Sequence, residues 1–295
     1  MQKTWPVAAF LLLLACGLAG FTRAATGADA PRSASRSAGE PVRQVWYSPR
    51  LLANVSVSER YVVIGVCEAN GIREIAEILR RSDFEEMWAF LPRAHGTREC
   101  QWHEIGREEK SESDSAYLRV DMAYLEALMA ENPEIHVVHF HPLKYFECAA
   151  HPGCRQAAAG RGEAPDPRWI TDLIFSMPSP SDVHFMMDVT SRYHRRRQGQ
   201  GTIKHKVVTP YGVVDYGLTD AGLAKFDSER FERSEGLYIT WVMASKLAND
   251  HVEDVIKENP ESIDGAVRRL AQTLNTGFLR VDHSTLKQAV SSRSR

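Results

Sequence analysis

The residues of this chain best suited to chemistry are His139-Phe140-His141-Pro142 and Pro178-Ser179-Pro180-Ser181-Asp182. Together they can bring two imidazole nitrogens and a carboxylate to one zinc ion, with a hydroxyl beside it. Zinc held by three protein side chains keeps a fourth position for water or substrate. Such an open site activates water and polarises carbonyl groups.

Two elements must position these groups. Glu134-Ile-His-Val-Val-His139 is apolar and β-branched, the composition of a strand. Side chains alternate across a strand, so His139 and His141 face one way and His136 the other. Pro142 ends the ladder and leaves both imidazoles at a strand terminus. Ser179-Pro180-Ser181-Asp182 has the form S-x-x-D with proline at the first helical position, so Asp182 falls in the first turn of a helix continuing through Val183 to Arg192. Each element has a plain structural reading as well. A chain with 11 His produces His-x-His by chance, and S-P-S-D caps a helix without any metal. Their joint occurrence, in this order and behind a strand, favours the metal site.

The pattern resembles the JAMM or MPN-plus (JAB) family of zinc metallo-isopeptidases, whose signature is an upstream Glu, then H-x-H-P, then S-x-x-D. The bacterial branch is the closest, since its last element often reads P-S-P-x-D. The resemblance implies an α/β fold, an MPN/JAB-like (cytidine deaminase-like) sandwich of a mixed β-sheet with flanking helices. It also implies that His139, His141 and Asp182 bind Zn2+, that Ser179 supports the developing oxyanion, and that the upstream Glu is the general base. The family's E-x-x-G form fits Glu86-Met87-Trp88-Ala89-Phe90-Leu91 apart from Ala89 in place of Gly. Glu86 is therefore the expected base, Glu85 the near alternative, and Glu68 and Glu104 more distant ones. The resemblance spans Ile72 to Leu218 and departs from the family in the long insertion 143–178 between the two motif halves.

The function implied is zinc-dependent hydrolysis of an amide bond in a peptide or protein substrate. The rival reading is a non-catalytic MPN-like scaffold or binding lipoprotein of the cell envelope. An unrelated metallohydrolase would instead need further ligands, such as His184 or Asp188, to converge on the His pair.

The N-terminus addresses compartment. Lys3 precedes an apolar run from Trp5 through Leu18, shorter than the roughly 20 residues of a membrane span and suited to a signal-peptide core. Leu13-Leu14-Ala15-Cys16-Gly17 resembles a lipobox, which would attach the chain to a membrane through lipidated Cys16; a cut after Thr22-Arg23-Ala24 competes with it. The expected location is thus exported, periplasmic or membrane-anchored, with no transmembrane span in the mature chain. Residues 1–23 read as the signal, 24–42 as a flexible linker rich in Ala, Ser, Gly and Arg, 43–218 as the metallohydrolase domain, and 219–295 as a helical C-terminal extension.

Removing or acylating Cys16 leaves Cys67, Cys100, Cys148 and Cys154, an even number that suits disulfides in an oxidising compartment. Cys148 and Cys154 would staple the insertion as a wall or lid over the site; with His151 they also form the beginnings of a second zinc site, short of a fourth ligand. Cys67 and Cys100 could pair between neighbouring strands. A basic cluster from Arg192 to Lys206 complements a helix C-terminus, and a net charge of −2 argues against a nucleic-acid partner.

Overall fold

Strand β5, Glu134–Phe140, is the strand that carries the His pair, and its residues are buried on both sides beyond Glu134. The computed structural model describes residues 62–79, 84–93, 99–110, 116–150, 154, 167–226, 247, 249–258 and 263–285. The calls on the signal, lipobox and linker lie outside them. Eight strands form one mixed sheet in the order β1-β3-β2-β5-β6-β7-β8, with β4 paired onto β3. They are β1 Val62–Ile64, β2 Glu86–Leu91, β3 Gln101–Lys110, β4 Ala116–Val120, β5, β6 Thr202–Thr209, β7 Gly212–Leu218 and β8 Leu279–Ser284. Among the described strands only β5 and β6 run parallel, which the long helical crossover between them permits.

Alternation along β5 sorts the core. Ile135 and Val137 pack with Met87, Ala89, Leu125, Met129, Val189 and Tyr193, beneath helices α2 (Met122–Glu131) and α5 (Pro180–Arg196). Val138 and Phe140 point to the other face, onto Trp88, Phe90, Trp102 and helix α1 (Glu68–Leu79). His136 shares that second face and is fully buried, as the strand period requires.

Helix starts follow local rules. Asp121 caps α2, accepting the Tyr124 N–H at 3.0 Å. Ser179 caps α5 in a reciprocal box: its Oγ accepts from the Asp182 N–H at 3.1 Å, and Asp182 Oδ2 accepts from the Ser179 N–H at 2.7 Å, with Pro180 at the first helical position. β6 and β7 form an antiparallel hairpin.

The insertion is built into the domain. A 3₁₀ turn at Leu143–Tyr145, a short helix α3 at Glu147–Ala150 and helix α4 at Pro167–Phe175 follow Pro142. Cys148 and Cys154 form the expected disulfide, which removes them as metal ligands. Asp172, fully buried on α4, accepts the backbone N–H groups of Cys148 and Ala149 at 3.3 and 3.0 Å and the Tyr211 hydroxyl.

The stretch read as a helical extension is helical only in part. Helices α6 (Asp220–Phe226), α7 (Asn249–Glu258) and α8 (Ile263–Leu274) occur there, but Leu279–Ser284 is a strand on β7, and α7, α8 and β8 share one core cluster with α4 and α5. Leu279 and Val281 alternate with exposed Arg280 and Asp282, so the sheet gains a half-buried edge strand. Among the described residues no helix is long and apolar enough to cross a membrane.

Candidate metal centre

Register decides which carboxylate meets the imidazoles. β2 and β5 pair antiparallel with Glu86 opposite Phe140 and Met87 opposite His139. Opposed residues in such a pair share a face. Continuing the same register outward sets Glu85 opposite His141, on the face of both His side chains. Glu86 lies with Phe140 on the reverse face, where Trp88 Nε1 donates to it at 3.0 Å and Arg107 pairs with it at 3.1 Å. The expectation of Glu86 at the site is therefore corrected by one residue: the structure brings Glu85 there. Glu68 and Glu104 are elsewhere, the first against His136 Nδ1 and the second against Arg107.

Glu85 Oε2 is 3.2 Å from His139 Nε2, and Oε1 is 4.0 Å from His141 Nε2. The two rings stand nearly perpendicular with centroids 4.6 Å apart. Asp182 approaches from the opposite side, its Oδ1 3.1 Å from His139 Nδ1. That contact is an ion pair without hydrogen-bond alignment, so Nδ1 is a buried polar atom lacking an aligned partner. His139, His141 and Asp182 are all buried, and Glu85 is partly exposed.

The tautomer of His141 follows from its neighbour. Its Nδ1 lies 2.7 Å from the carbonyl oxygen of Phe175, which only accepts, so Nδ1 carries the hydrogen and the Nε2 lone pair is turned toward Glu85. A carbonyl holding the second nitrogen of an imidazole is the usual support of a metal-binding histidine.

The electrostatics are those of two acids and two bases sharing a dry corner. Burial disfavours a charged His139, but the carboxylates of Asp182 and Glu85 outweigh it and raise its pKa to about 10. Burial and the charge of His139 hold the pKa of His141 below the ordinary value. Burial alone would raise Asp182 and Glu85; His139 overrides this and lowers both. The excess negative charge thus draws in positive charge, and a divalent cation would supply it. One ligand atom from each of Glu85, His139 and His141 lies within 4.8 Å of the others. A modest closing of these side chains would bring their donors to ligand bonds of about 2.0–2.2 Å from one ion, so this buried group could hold a metal ion.

Ser179 sits at the cap rather than in the cluster. Its Oγ accepts from the Asp182 backbone N–H and its own backbone N–H holds the Asp182 carboxylate, while its hydroxyl hydrogen can still be donated. Asp182, expected as a ligand, touches His139 at Nδ1 but is not one of the three donors that converge, and neither are His184 and Asp188. Asp188 pairs with Arg192, which with Arg196 also reaches Glu126, so these parts of the basic cluster are neutralised locally.

Sequence reasoning missed the frame of this site. Glu108 of β3, buried, accepts the Glu85 N–H at 2.9 Å and the Tyr145 hydroxyl at 2.8 Å, and pairs with Lys144 at 3.5 Å. Tyr145 stacks on Phe175 with centroids 5.5 Å apart, and the Lys144 ammonium lies over the Phe84 and Tyr145 rings. The insertion therefore supplies a wall of the site. No signal in the sequence ties Glu108 to a position 23 residues upstream.

Comparisons with protein-family models, curated proteins and solved structures give no match to this chain.

Proposed function

We propose that this chain is an exported, zinc-dependent amide-bond hydrolase with an MPN/JAB-like sandwich, acting on a peptide or protein of the cell envelope. The observation that carries the reading is the meeting of His139, His141, Glu85 and Asp182, with His141 Nε2 freed for a metal by the Phe175 carbonyl. His139, His141 and Asp182 would hold the ion, which asks the His139 ring to turn, because as folded the converging donors are Glu85, His139 and His141 and Asp182 lies on the Nδ1 side of His139. Asp182 suits a ligand because the cap at Ser179 fixes it. Glu85 suits a proton carrier because it is the more exposed carboxylate of the two, beside Phe84 at the rim.

Bound zinc would acidify a water molecule and polarise the substrate carbonyl. Glu85 takes a proton from the attacking water on a carboxylate oxygen and returns it to the leaving nitrogen. The Ser179 hydroxyl donates to the carbonyl oxygen as it gains charge. Tyr145, Phe175 and Phe84 form an apolar rim against which a substrate side chain packs.

The test is metal analysis of the purified chain alongside turnover of an unselective peptide library. We expect about one zinc per chain, lost in His139→Ala and His141→Ala, and hydrolysis abolished by chelation and restored by zinc. A chain that takes up no zinc would leave the scaffold reading in its place.

A further inference from the structure

Cys67 and Cys100 take no part in the metal cluster, yet their Sγ atoms stand 2.7 Å apart. The framework holds them there. β1 and β3 pair through Ile64 and Gln101, and the next contact, Gly65 N–H to Cys100 carbonyl at 2.8 Å, carries the pairing to the edge of the cysteines. Trp102 Nε1 donates to the Val66 carbonyl at 3.0 Å, and Gly71 lies so close to the same indole that an added Cβ would meet it at 2.3 Å. Cys67 is exposed; Cys100 is buried, at 8%. A pair held in this way needs only a small side-chain rotation to reach the disulfide bond length of about 2.0 Å.

We infer that Cys67 and Cys100 are an oxidisable pair that closes into a second disulfide by exchange with a dissolved disulfide. The exposed Cys67 thiolate attacks one sulfur of the oxidant; the oxidant's S–S bond breaks and one thiolate leaves. Cys100 then loses its proton and attacks the Cys67 sulfur, the mixed disulfide breaks, and the second thiolate leaves. Two electrons pass from the cysteines to the oxidant, and the two thiol protons end on its two released thiols.

Closure ties the start of α1 to β3. Cys67 directly precedes Glu68, whose carboxylate reaches His136 Nδ1 at 2.5 Å and Lys206 at 3.6 Å on the reverse face of the His139 strand. The disulfide therefore fixes the helix that covers the back of β5. This inference stands apart from the hydrolase reading, since it involves neither metal nor substrate.

The experiment uses the full chain, reduced and then equilibrated with oxidised glutathione, with peptide mapping after alkylation. We expect a Cys67–Cys100 linked peptide beside the Cys148–Cys154 one. Cys100→Ser should accumulate a glutathione adduct on Cys67, and Cys67→Ser should react at Cys100 at least about tenfold more slowly, because access controls exchange. Oxidised wild type should melt about 5–10 °C above Cys67→Ser treated identically, the direction and scale of a cross-link closing a loop of this length. Both thiols still alkylated after oxidant, or a glutathione adduct on wild-type Cys67 that never resolves, would overturn the inference. If a serine variant fails to fold, the wild-type peptide map decides alone.

Discussion

Glu85 and Glu86 are neighbours in sequence and lie on opposite faces of the sheet, so the matched pair Glu85→Gln and Glu86→Gln should separate function from stability. At Glu85 the substitution keeps size and polarity but removes the proton acceptor facing both His Nε2 atoms. Loss of a general base costs about 10²–10⁴ in rate, or about 2.7–5.4 kcal/mol at 1.36 kcal/mol per tenfold. Zinc should stay near one per chain, because His139, His141 and Asp182 remain. At Glu86 the variant keeps an oxygen for Trp88 and loses the ion pair with Arg107, which retains Glu104 at 2.9 Å as a counter-charge. The cost should be about 1–2 kcal/mol, a melting point lower by about 2–8 °C in a chain of this size, with turnover within about twofold of wild type. The assay is turnover of the peptide library and zinc content measured on one preparation, beside thermal unfolding. Turnover lost in Glu86→Gln and kept in Glu85→Gln would refute the register argument. Zinc lost in Glu85→Gln would make Glu85 a ligand and Asp182 the outer carboxylate on His139.

Two further outcomes follow from individual contacts and a third from the lipobox in the sequence. Burial, with the nearby His136, lowers the pKa of His205 to about 3, so the folded chain refuses a proton that the unfolded chain accepts near 6.5; stability should be complete above that pH and fall toward pH 3 by up to about 1.4 kcal/mol per unit, and denaturant titrations in which His205→Asn leaves the slope unchanged would contradict this. Asp172→Ala strands the Cys148 and Ala149 N–H groups and the Tyr211 hydroxyl, so unfolding should come about 2–4 kcal/mol earlier, and a loss below about 0.5 kcal/mol would mean that these groups find other acceptors. Cys16→Ser should shift the protein from membranes to the soluble fraction or block its processing, whereas a mature N-terminus at Ala25 in wild type would rule out the lipid anchor.

What the sequence disclosed about the site is what is local. His139 and His141 share a face because a strand's period is two, and Ser179 and Asp182 meet because a capping box closes within four residues. Asp121 on α2 and the β6–β7 hairpin were legible for the same reason. The strand at Leu279–Ser284 carries the same kind of signal, alternating Leu279 and Val281 with Arg280 and Asp282, but helical periodicity dominates the residues before it. The choice between Glu85 and Glu86 belongs to another category. Glu86 fits the E-x-x-A spacing with Ala89 and Glu85 does not, yet which of them faces the imidazoles depends on the pairing register of β2 with β5, some fifty residues apart.

From the sequence, the insertion 143–178 interrupts a motif and suggests a wall or lid over the site. In the fold, its last helical residue, Phe175, gives the carbonyl that fixes the His141 tautomer, and Tyr145 at its start is bound to the same Glu108 that holds the Glu85 backbone. A lid that opened as a unit would break both ties and loosen His141 and Glu85 together. The described ends of the insertion therefore belong to the centre itself, and at its rim the Lys144 ammonium lies over the Phe84 ring and pairs with Glu108.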